Sequence, residues 1–359
     1  MKSISFLIHG TSPRPVGGVK IIYQYANLFV KYGYDVTILF SESRKENESI
    51  INKTKYFVKY VIKKILRYHK RSWFVLDSRV KSKYIFDLSK ENLNQYDVII
   101  ATMLSTSFHV AQIMNEKRLS AKCFYFVQDF EAWGVPESTV YKSYKLPLKK
   151  IAISGWLVER IKKVDENVIC IPNGFDLNYF NLNVPIEGRN KFEISMLYHV
   201  DSRKRCQDSF EALEVLKRKY PQIHVNMFGA YSKPSNLPDW YSYIQMPNKE
   251  SHNAIYNTSA IFINASAQEG WGLTVGEAMI CGCAVVCSSN DGHRIMAKNN
   301  ENALLFEVGN VEQIVKLVES LIEDETYRIR IARNGNQFIQ QYSWDNSVKK
   351  FIDVLEGNK

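Results

Sequence analysis

Short, β-branched apolar runs alternate with helix-patterned stretches along this chain, and that alternation restricts the fold more than any other feature. The runs cover residues 4–8, 35–40, 97–101, 123–127, 150–154 and 168–171, then 193–198, 224–228, 243–245, 260–264, 284–288 and 303–307. Strands interleaved with helices predict βαβ units and parallel sheets. Between the two series, Pro172-Asn173-Gly174 punctuates the chain, and residues 181–190, polar and turn-rich with Pro185 and Gly188, read as a linker. The reading is therefore α/β: two Rossmann-like, doubly wound domains, 1–180 and 191–342, facing a central cleft, with a closing helix in 343–359. A length of 359 residues suits two cores. Ligands in such sheets bind outside the carboxyl ends of the strands, so the loops there are the places to search.

With 45% of residues hydrophobic and 23% charged, the chain is neither disordered nor collagen-like. Its longest apolar runs, such as 98–101 and 260–263, fall far short of the roughly 20 residues that span a bilayer. Residues 1–10 lack the long apolar stretch and cleavage site of a signal peptide, so a cytoplasmic location is expected. The six cysteines then read as free thiols. Cys281, Cys283 and Cys287 lack paired C-x2-C knuckles and read as buried thiols, and no metal site is expected.

The charge is unevenly divided. Residues 1–150 hold 25 Lys and Arg against 12 Asp and Glu, a net of +13, whereas residues 151–359 hold 22 against 25, a net of −3. Much of the excess lies in segment 53–83, where Lys53, Lys55, Lys59, Lys63, Lys64, Arg67, Lys70, Arg71, Arg79, Lys81 and Lys83 face only Asp77. A helix over 55–70 stacks Val58, Ile62 and Leu66 beside Phe57, Val61 and Ile65, with Lys59, Lys63 and Arg67 on another face. Such a helix, with Tyr56, Tyr60, Tyr68, Trp73 and Phe74 nearby, fits an anionic membrane surface. It equally fits an ordinary helix packed on its sheet with a solvated charged face. No nucleic-acid motif accompanies the charge, and nucleic acid is not the expected partner.

Three loops carry candidate chemistry. Gly17 and Gly18 stand between the first strand and a helix, where a backbone can approach a phosphate or sugar closely. The loop spells neither G-x-G-x-x-G nor G-x4-G-K-[ST], which weakens dinucleotide and P-loop readings. Arg203-Lys204-Arg205 follows the first strand of the second series and reads either as a solvated charge run or as cations that neutralise a diphosphate leaving group. The most pronounced local feature runs from Glu269 through Gly270, Trp271, Gly272, Leu273 and Thr274 to Glu277. Its glycines follow a strand and open a helix, which makes a phosphate cradle. Glu277 can accept bonds from ribose hydroxyls and Glu269 can reach a sugar ring, while the pair by itself also reads as capping and surface charge. Asp129, at a strand end, reads either as a partner for an acceptor hydroxyl or as a helix cap.

Taken in order, Gly17-Gly18-Val19, Ile153-Ser154, Ile171 to Asp176, the E-x7-E pair Glu269 and Glu277, Ala278-Met279, Cys281-Gly282, Asn302 to Leu305 and Tyr342-Ser343-Trp344 resemble glycosyltransferase family 4 over nearly the whole chain. The resemblance implies the two-domain GT-B fold, with the C-terminal helix crossing back to the N-terminal, acceptor-binding domain. It implies transfer of a sugar, with retention and without a metal or other cofactor, from a nucleotide-diphosphate donor bound mainly by the second domain. Lys204, with Arg203 beside it, matches the family's diphosphate-contacting lysine, Glu277 the ribose-binding carboxylate and Glu269 the carboxylate at the transferred sugar. Gly17 and Gly18 match the first-domain loop at the diphosphate.

Three positions depart from the pattern. His199 stands where the family carries an arginine, Gln128 replaces a histidine, and Ile295 replaces a glutamate. The run Gln128-Asp129-Phe130-Glu131 resembles members associated with rhamnosyl transfer. The function expected is a cytoplasmic, membrane-peripheral transferase using a dTDP-, UDP- or GDP-sugar, dTDP-rhamnose first, to extend a glycan or lipid-linked saccharide in cell-surface polysaccharide synthesis. A catalytically silent sugar-nucleotide-binding subunit and a sugar-nucleotide epimerase on the same fold are the alternatives.

Overall fold

The computed structural model describes residues 2–42, 50–67, 73–116 and 119–357. They divide into two compact units, Met1–Pro172 with Asp345–Lys359, and Asn173–Trp344.

The first unit contains β1 (Ser3–His9), α1 (Gly17–Lys31), β2 (Asp35–Ser41), α2 (Ile50–Ile65), β3 (Lys81–Ile85), β4 (Val98–Ala101), α3 (Leu104–Glu116), β5 (Lys122–Val127), α4 (Glu137–Tyr144), β6 (Lys149–Ala152), α5 (Gly155–Lys162) and β7 (Val168–Cys170). Its strands form one sheet in the order β3-β2-β1-β4-β5-β6-β7, each pair parallel. The central β4, Val-Ile-Ile-Ala, is buried along its length, as a strand covered by helices on both faces must be.

The second unit contains β8 (Glu193–Tyr198), α6 (Cys206–Lys219), β9 (His224–Gly229), β10 (Tyr241–Gln245), α7 (Lys249–Thr258), β11 (Ile261–Asn264), α8 (Leu273–Ile280), β12 (Ala284–Ser288), β13 (Leu304–Phe306), α9 (Val311–Glu323) and α10 (Glu325–Ile339). Its parallel sheet runs β10-β9-β8-β11-β12-β13. Both orders are doubly wound, with connections leaving the central strand in opposite directions. The last helix, α11 (Trp344–Glu356), belongs from Asp345 onward to the first unit. Its Phe351 ring lies 5.0 Å from Tyr25, 5.5 Å from Phe29 and 5.4 Å from Phe126. Among the described residues no helix is long and apolar enough to cross a membrane.

Three expectations are corrected. The first is the linker, since residues 173–190 belong to the second unit. The Asn257 side chain accepts the backbone N–H of Asn183 at 2.7 Å, and the buried Arg189 donates to the carbonyls of Tyr256, Ser259, Val184 and Cys281. The polar residues there satisfy one another and α7, rather than water. The second is the first sheet, which has seven strands because β3, inside the basic segment, pairs with β2 at the edge. Its alternating lysines are what exposed edge strands carry against unwanted pairing.

The third is the basic helix, which ends at Ile65, with Arg67 in the left-handed region at φ 50°. Tyr68, Lys70 and Arg71 lie outside the described residues. Lys59 and Lys63 are spent on Glu42, a buried carboxylate after β2, at 3.1 Å each. Tyr60 and Phe57 pack toward Tyr84 and Phe86. One side of α2 therefore joins the unit, while Val58, Ile62 and Ile65 stay 51%, 51% and 74% exposed.

Because Phe351 is fully buried among aromatic rings, Phe351→Ala is expected to destabilise the first unit by about 3–5 kcal/mol. The exposed Lys350→Ala control should cost less than about 0.5 kcal/mol. Chemical denaturation followed by fluorescence checks both.

Candidate functional site

In the second sheet the chain leaves β8 toward β9 on one side and later returns to lay β11 on the other. The loops after these two strands part from each other at the carboxyl edge, which is where doubly wound sheets hold ligands. The two loops are fastened to each other. The backbone N–H of Ala267, after β11, donates to the Arg203 carbonyl, after β8, at 2.7 Å. Beside this tie the Lys204 ammonium donates to Glu269 Oε1 at 2.6 Å. Lys204 closes a short 3-10 turn, Ser202–Lys204, whose start is capped by the Asp201 carboxylate.

Lys204 and Glu269 keep only 24% and 15% of their side chains exposed, so the pair sits in a medium that screens charge less than water does. Burial alone pushes the Glu269 carboxyl up. Lys204, His293 and the Ser266 hydroxyl outweigh it, and the group ionises below its ordinary value. A third loop, after β12, backs this carboxylate. A Cβ on Gly292 would stand 2.1 Å from the Glu269 carbonyl oxygen, so the close approach requires glycine. The next residue, His293, is fully buried, and its Nδ1 lies 2.9 Å from the Ser288 carbonyl. That oxygen can only accept; the Asn290 amide nitrogen also lies 3.0 Å from Nδ1, but its two N–H groups have the Ser266 carbonyl at 2.8 Å and the Ser288 hydroxyl at 3.2 Å as acceptors, and with both so placed Nδ1 carries the proton. Nε2 is left without a partner.

Gly272, at φ +86°, caps the start of α8 in a conformation that glycine adopts without penalty. The first N–H groups of α8, from Leu273 onward, have no partner within the helix, and the dipole favours an anion there. The Asn264 side chain donates to Thr274 Oγ1 at 2.9 Å and fixes that turn. Glu277 follows inside α8, 3% exposed, and accepts from the Tyr256 hydroxyl at 3.3 Å.

Not every residue singled out from the sequence joins this group in the same way. Trp271, 4% exposed, stacks on Phe175 at 6.3 Å and meets Tyr342 edge-on, so its ring is part of the unit's interior. Arg203 grips Asp201 with its guanidinium at 2.6 Å, and Arg205 grips Asp208 at 2.6 Å. His199 Nδ1 accepts the Asp201 N–H at 2.9 Å, and burial followed by the Lys204 charge lowers its basicity. Among the basic run, Lys204 is the cation set on the Glu269 carboxylate. Cys281 and Cys283 donate to Asn253 Oδ1 and the Tyr256 carbonyl, and Cys287 is buried as a free thiol. Among the described residues no three His, Cys, Asp or Glu side chains gather as a metal site would require.

The first unit carries its own group at the carboxyl edge of its sheet. Gly17 and Gly18 open α1, and the Gln128 amide lies 3.5 Å from where a Gly18 Cβ would stand. Asp129 Oδ1 accepts the N–H of Phe130 at 2.8 Å. Beside it is a carboxylate to which sequence reasoning gave no role. Glu131 accepts the Leu104 N–H, at the start of α3, at 3.0 Å. Burial, with the Asp129 charge adding to it, pushes the Glu131 carboxyl up to about 7. The signal available in the sequence was its place two residues after Asp129 behind a strand.

Residues 184–338, which contain Lys204, Glu269, Glu277 and His293, match the family described as Glycosyl transferases group 1. That match lies within the second unit and covers less than half of the chain. Among curated proteins, the poly(glycerol-phosphate) alpha-glucosyltransferase of Bacillus subtilis is 21% identical over 310 residues, 84% of this chain and 42% of that protein. The capsular polysaccharide biosynthesis glycosyltransferase CapM of Staphylococcus aureus is 23% identical over 58% of this chain and 62% of its own length. The chain thus spans between two fifths and two thirds of these relatives. The structure of Anabaena Alr3699/HepE in complex with UDP-glucose superposes with a TM-score of 0.73 at 15% identity, covering 99% of this chain and 100% of that one. The fold is therefore that of the GT-B type, two Rossmann-like domains.

In the first unit, Glu131 offers a pH test. Its raised folded value means that the protonated form is favoured on folding, so its contribution is complete below about 4.5 and is lost as pH rises through about 7. Glu131→Gln keeps an acceptor for Leu104 and removes the charge. Its stability relative to the wild type is expected to rise by on the order of 1–3 kcal/mol between pH 4.5 and pH 8. Denaturation across that range checks this, and parallel profiles would contradict it.

Proposed function

We propose that the chain is a retaining glycosyltransferase that moves a sugar from a nucleotide-diphosphate donor to a glycan or lipid-linked saccharide acceptor in cell-surface polysaccharide synthesis. The observation that carries this reading is the Lys204–Glu269 pair, set with the start of α8 at the switch point of the second sheet. Lys204 and the first N–H groups of α8, at Leu273 and Thr274, meet the diphosphate and stabilise the charge that grows on it as the glycosidic bond breaks. Protein cations and dipoles supply that stabilisation, so no metal is assigned a step. Glu277 takes the ribose hydroxyls, Glu269 the transferred sugar, and Gly270 and Gly272 let the backbone come close to it. The leaving phosphate oxygen accepts the acceptor's hydroxyl proton on the face where the new bond forms, which retains the anomeric configuration.

The names of similar proteins support the class. One relative is named for glucosyl transfer to poly(glycerol phosphate), another for capsular polysaccharide, and one structural neighbour holds UDP-glucose. A UDP-sugar is the leading donor on that support, and dTDP-rhamnose is retained on the strength of the Gln128 to Glu131 run. The same reading sets the first unit against an anionic inner membrane face. Val58, Ile62 and Leu66 line a shallow groove with Lys55, Lys59 and Lys63, an apolar stripe bordered by ammonium groups.

Thermal stabilisation by UDP-, GDP-, dTDP- and ADP-sugars is the first test, since a ligand that binds only the folded state raises the melting temperature. One donor should raise it, and the same donor should then release its nucleoside diphosphate with a saccharide acceptor and give a product of unchanged anomeric configuration. An inverted product, or no stabilisation by any donor, would refute the reading. Binding to phosphatidylglycerol vesicles at low salt should weaken at least about tenfold in Ile62→Asp, and unchanged binding would remove the membrane from it.

A further inference from the structure

We propose that donor binding exchanges the counter-ion of Glu269, the Lys204 ammonium turning to the diphosphate and His293 taking up a proton at Nε2 to replace it. This rests on the reading of the site as one for a nucleotide sugar.

Lys204 has three N–H donors but one charge. In the unliganded protein that charge faces Glu269 at 2.6 Å. A diphosphate at the start of α8 carries two negative charges and competes for it. As the ammonium turns, Glu269 loses the larger part of its positive partner while remaining in a site that exposes only 15% of its side chain. An uncompensated carboxylate there is costly.

His293 stands behind Glu269 with the means to compensate. It is fully buried, its backbone N–H is held by Asn290 Oδ1 at 2.9 Å, and its Nδ1 proton is committed to the Ser288 carbonyl. Its Nε2 lone pair has no partner, although buried polar atoms almost always have one. The adjoining Cδ2 faces Gly272, where a Cβ would lie 3.1 Å away, so this edge of the ring is turned to the loop that begins α8. Among the described residues the charged groups acting on the ring are Glu269, which favours its cationic form, and Lys204, which opposes it. Asp291 and Arg294, on the same loop, pair with each other at 2.6 Å on the surface.

Turning Lys204 toward a diphosphate changes both influences in the same direction. The repelling cation is offset by phosphate, and the attracting carboxylate is no longer neutralised. A proton from the buffer adds to the Nε2 lone pair, and no other bond is made or broken. The result is an imidazolium beside an ionised Glu269, which stays free to accept a hydroxyl of the transferred sugar.

The probe is whichever of UDP-, GDP-, dTDP- and ADP-glucose stabilises the wild type. Its diphosphate does not titrate near neutrality, so proton uptake on binding reports the protein. Titration calorimetry at pH 6.5, in two buffers of different ionisation enthalpy, should show uptake of about half a proton by the wild type. His293→Asn, whose amide keeps an N–H for Ser288, should show almost none. Wild-type affinity should fall about threefold or more from pH 6 to pH 8 while the variant's stays flat. Nitrogen NMR of histidine-labelled wild type, which needs no variant, should show Nε2 passing from bare to protonated as the sugar nucleotide is added. Equal uptake by the two proteins, or an Nε2 that stays bare, overturns the exchange and leaves the donor site standing. Failure of every sugar nucleotide to bind the wild type overturns both.

Discussion

The ion pair between Lys204 and Glu269 joins two loops whose connections leave neighbouring strands in opposite directions, and the candidate site of the second unit is built around it. β8 and β11 pair side by side, so their loops start next to each other, but the connections then leave in opposite directions. The Ala267 to Arg203 backbone bond and the 2.6 Å contact between the two side chains fasten the loops beyond the strand ends. Gly292 lets a third loop close behind the carboxylate, and Gly272 starts α8 in front of it. Removing one partner of so enclosed a pair leaves a charge without compensation, which is why the site holds its charges in a poised arrangement rather than an open one.

Much of the sheet architecture is legible in the sequence because parallel strands buried on both faces leave unbroken apolar runs, as in Val98–Ala101 and Ile261–Asn264. The start of α8 is legible for a different reason, since glycines behind a strand and ahead of a helix have few other uses. What local pattern misreads is polarity that is satisfied at a distance. Arg189 lies in what reads as a solvated linker, yet it is buried and bonded to Tyr256 and Asn257 of α7. His293 and Glu131 escape sequence reasoning because only the folded chain shows one with an unpartnered Nε2 and the other lodged at the start of α3.

The charge of the first unit shows the same gap between composition and structure. A net of +13 over residues 1–150 suggests a broad cationic face. In the fold Lys59 and Lys63 neutralise Glu42, Arg79 pairs with Asp77, Lys81 with Asp35 and Lys83 with Glu91. What remains on α2 is narrower: an outward apolar stripe with lysines along its border. Free cation count is thus a poorer guide to a surface than the list of carboxylates each cation has already met.

The most direct measurement is the dissociation constant of the stabilising nucleotide sugar for the wild type and for Lys204→Met, with circular dichroism to establish that both are folded. The methionine keeps the unbranched apolar stem and removes the ammonium, so the comparison isolates the charge proposed to meet the diphosphate. The account predicts at least about tenfold weaker binding in the variant, which corresponds to about 1.4 kcal/mol. A folded Lys204→Met protein that binds the donor as tightly as the wild type would contradict it.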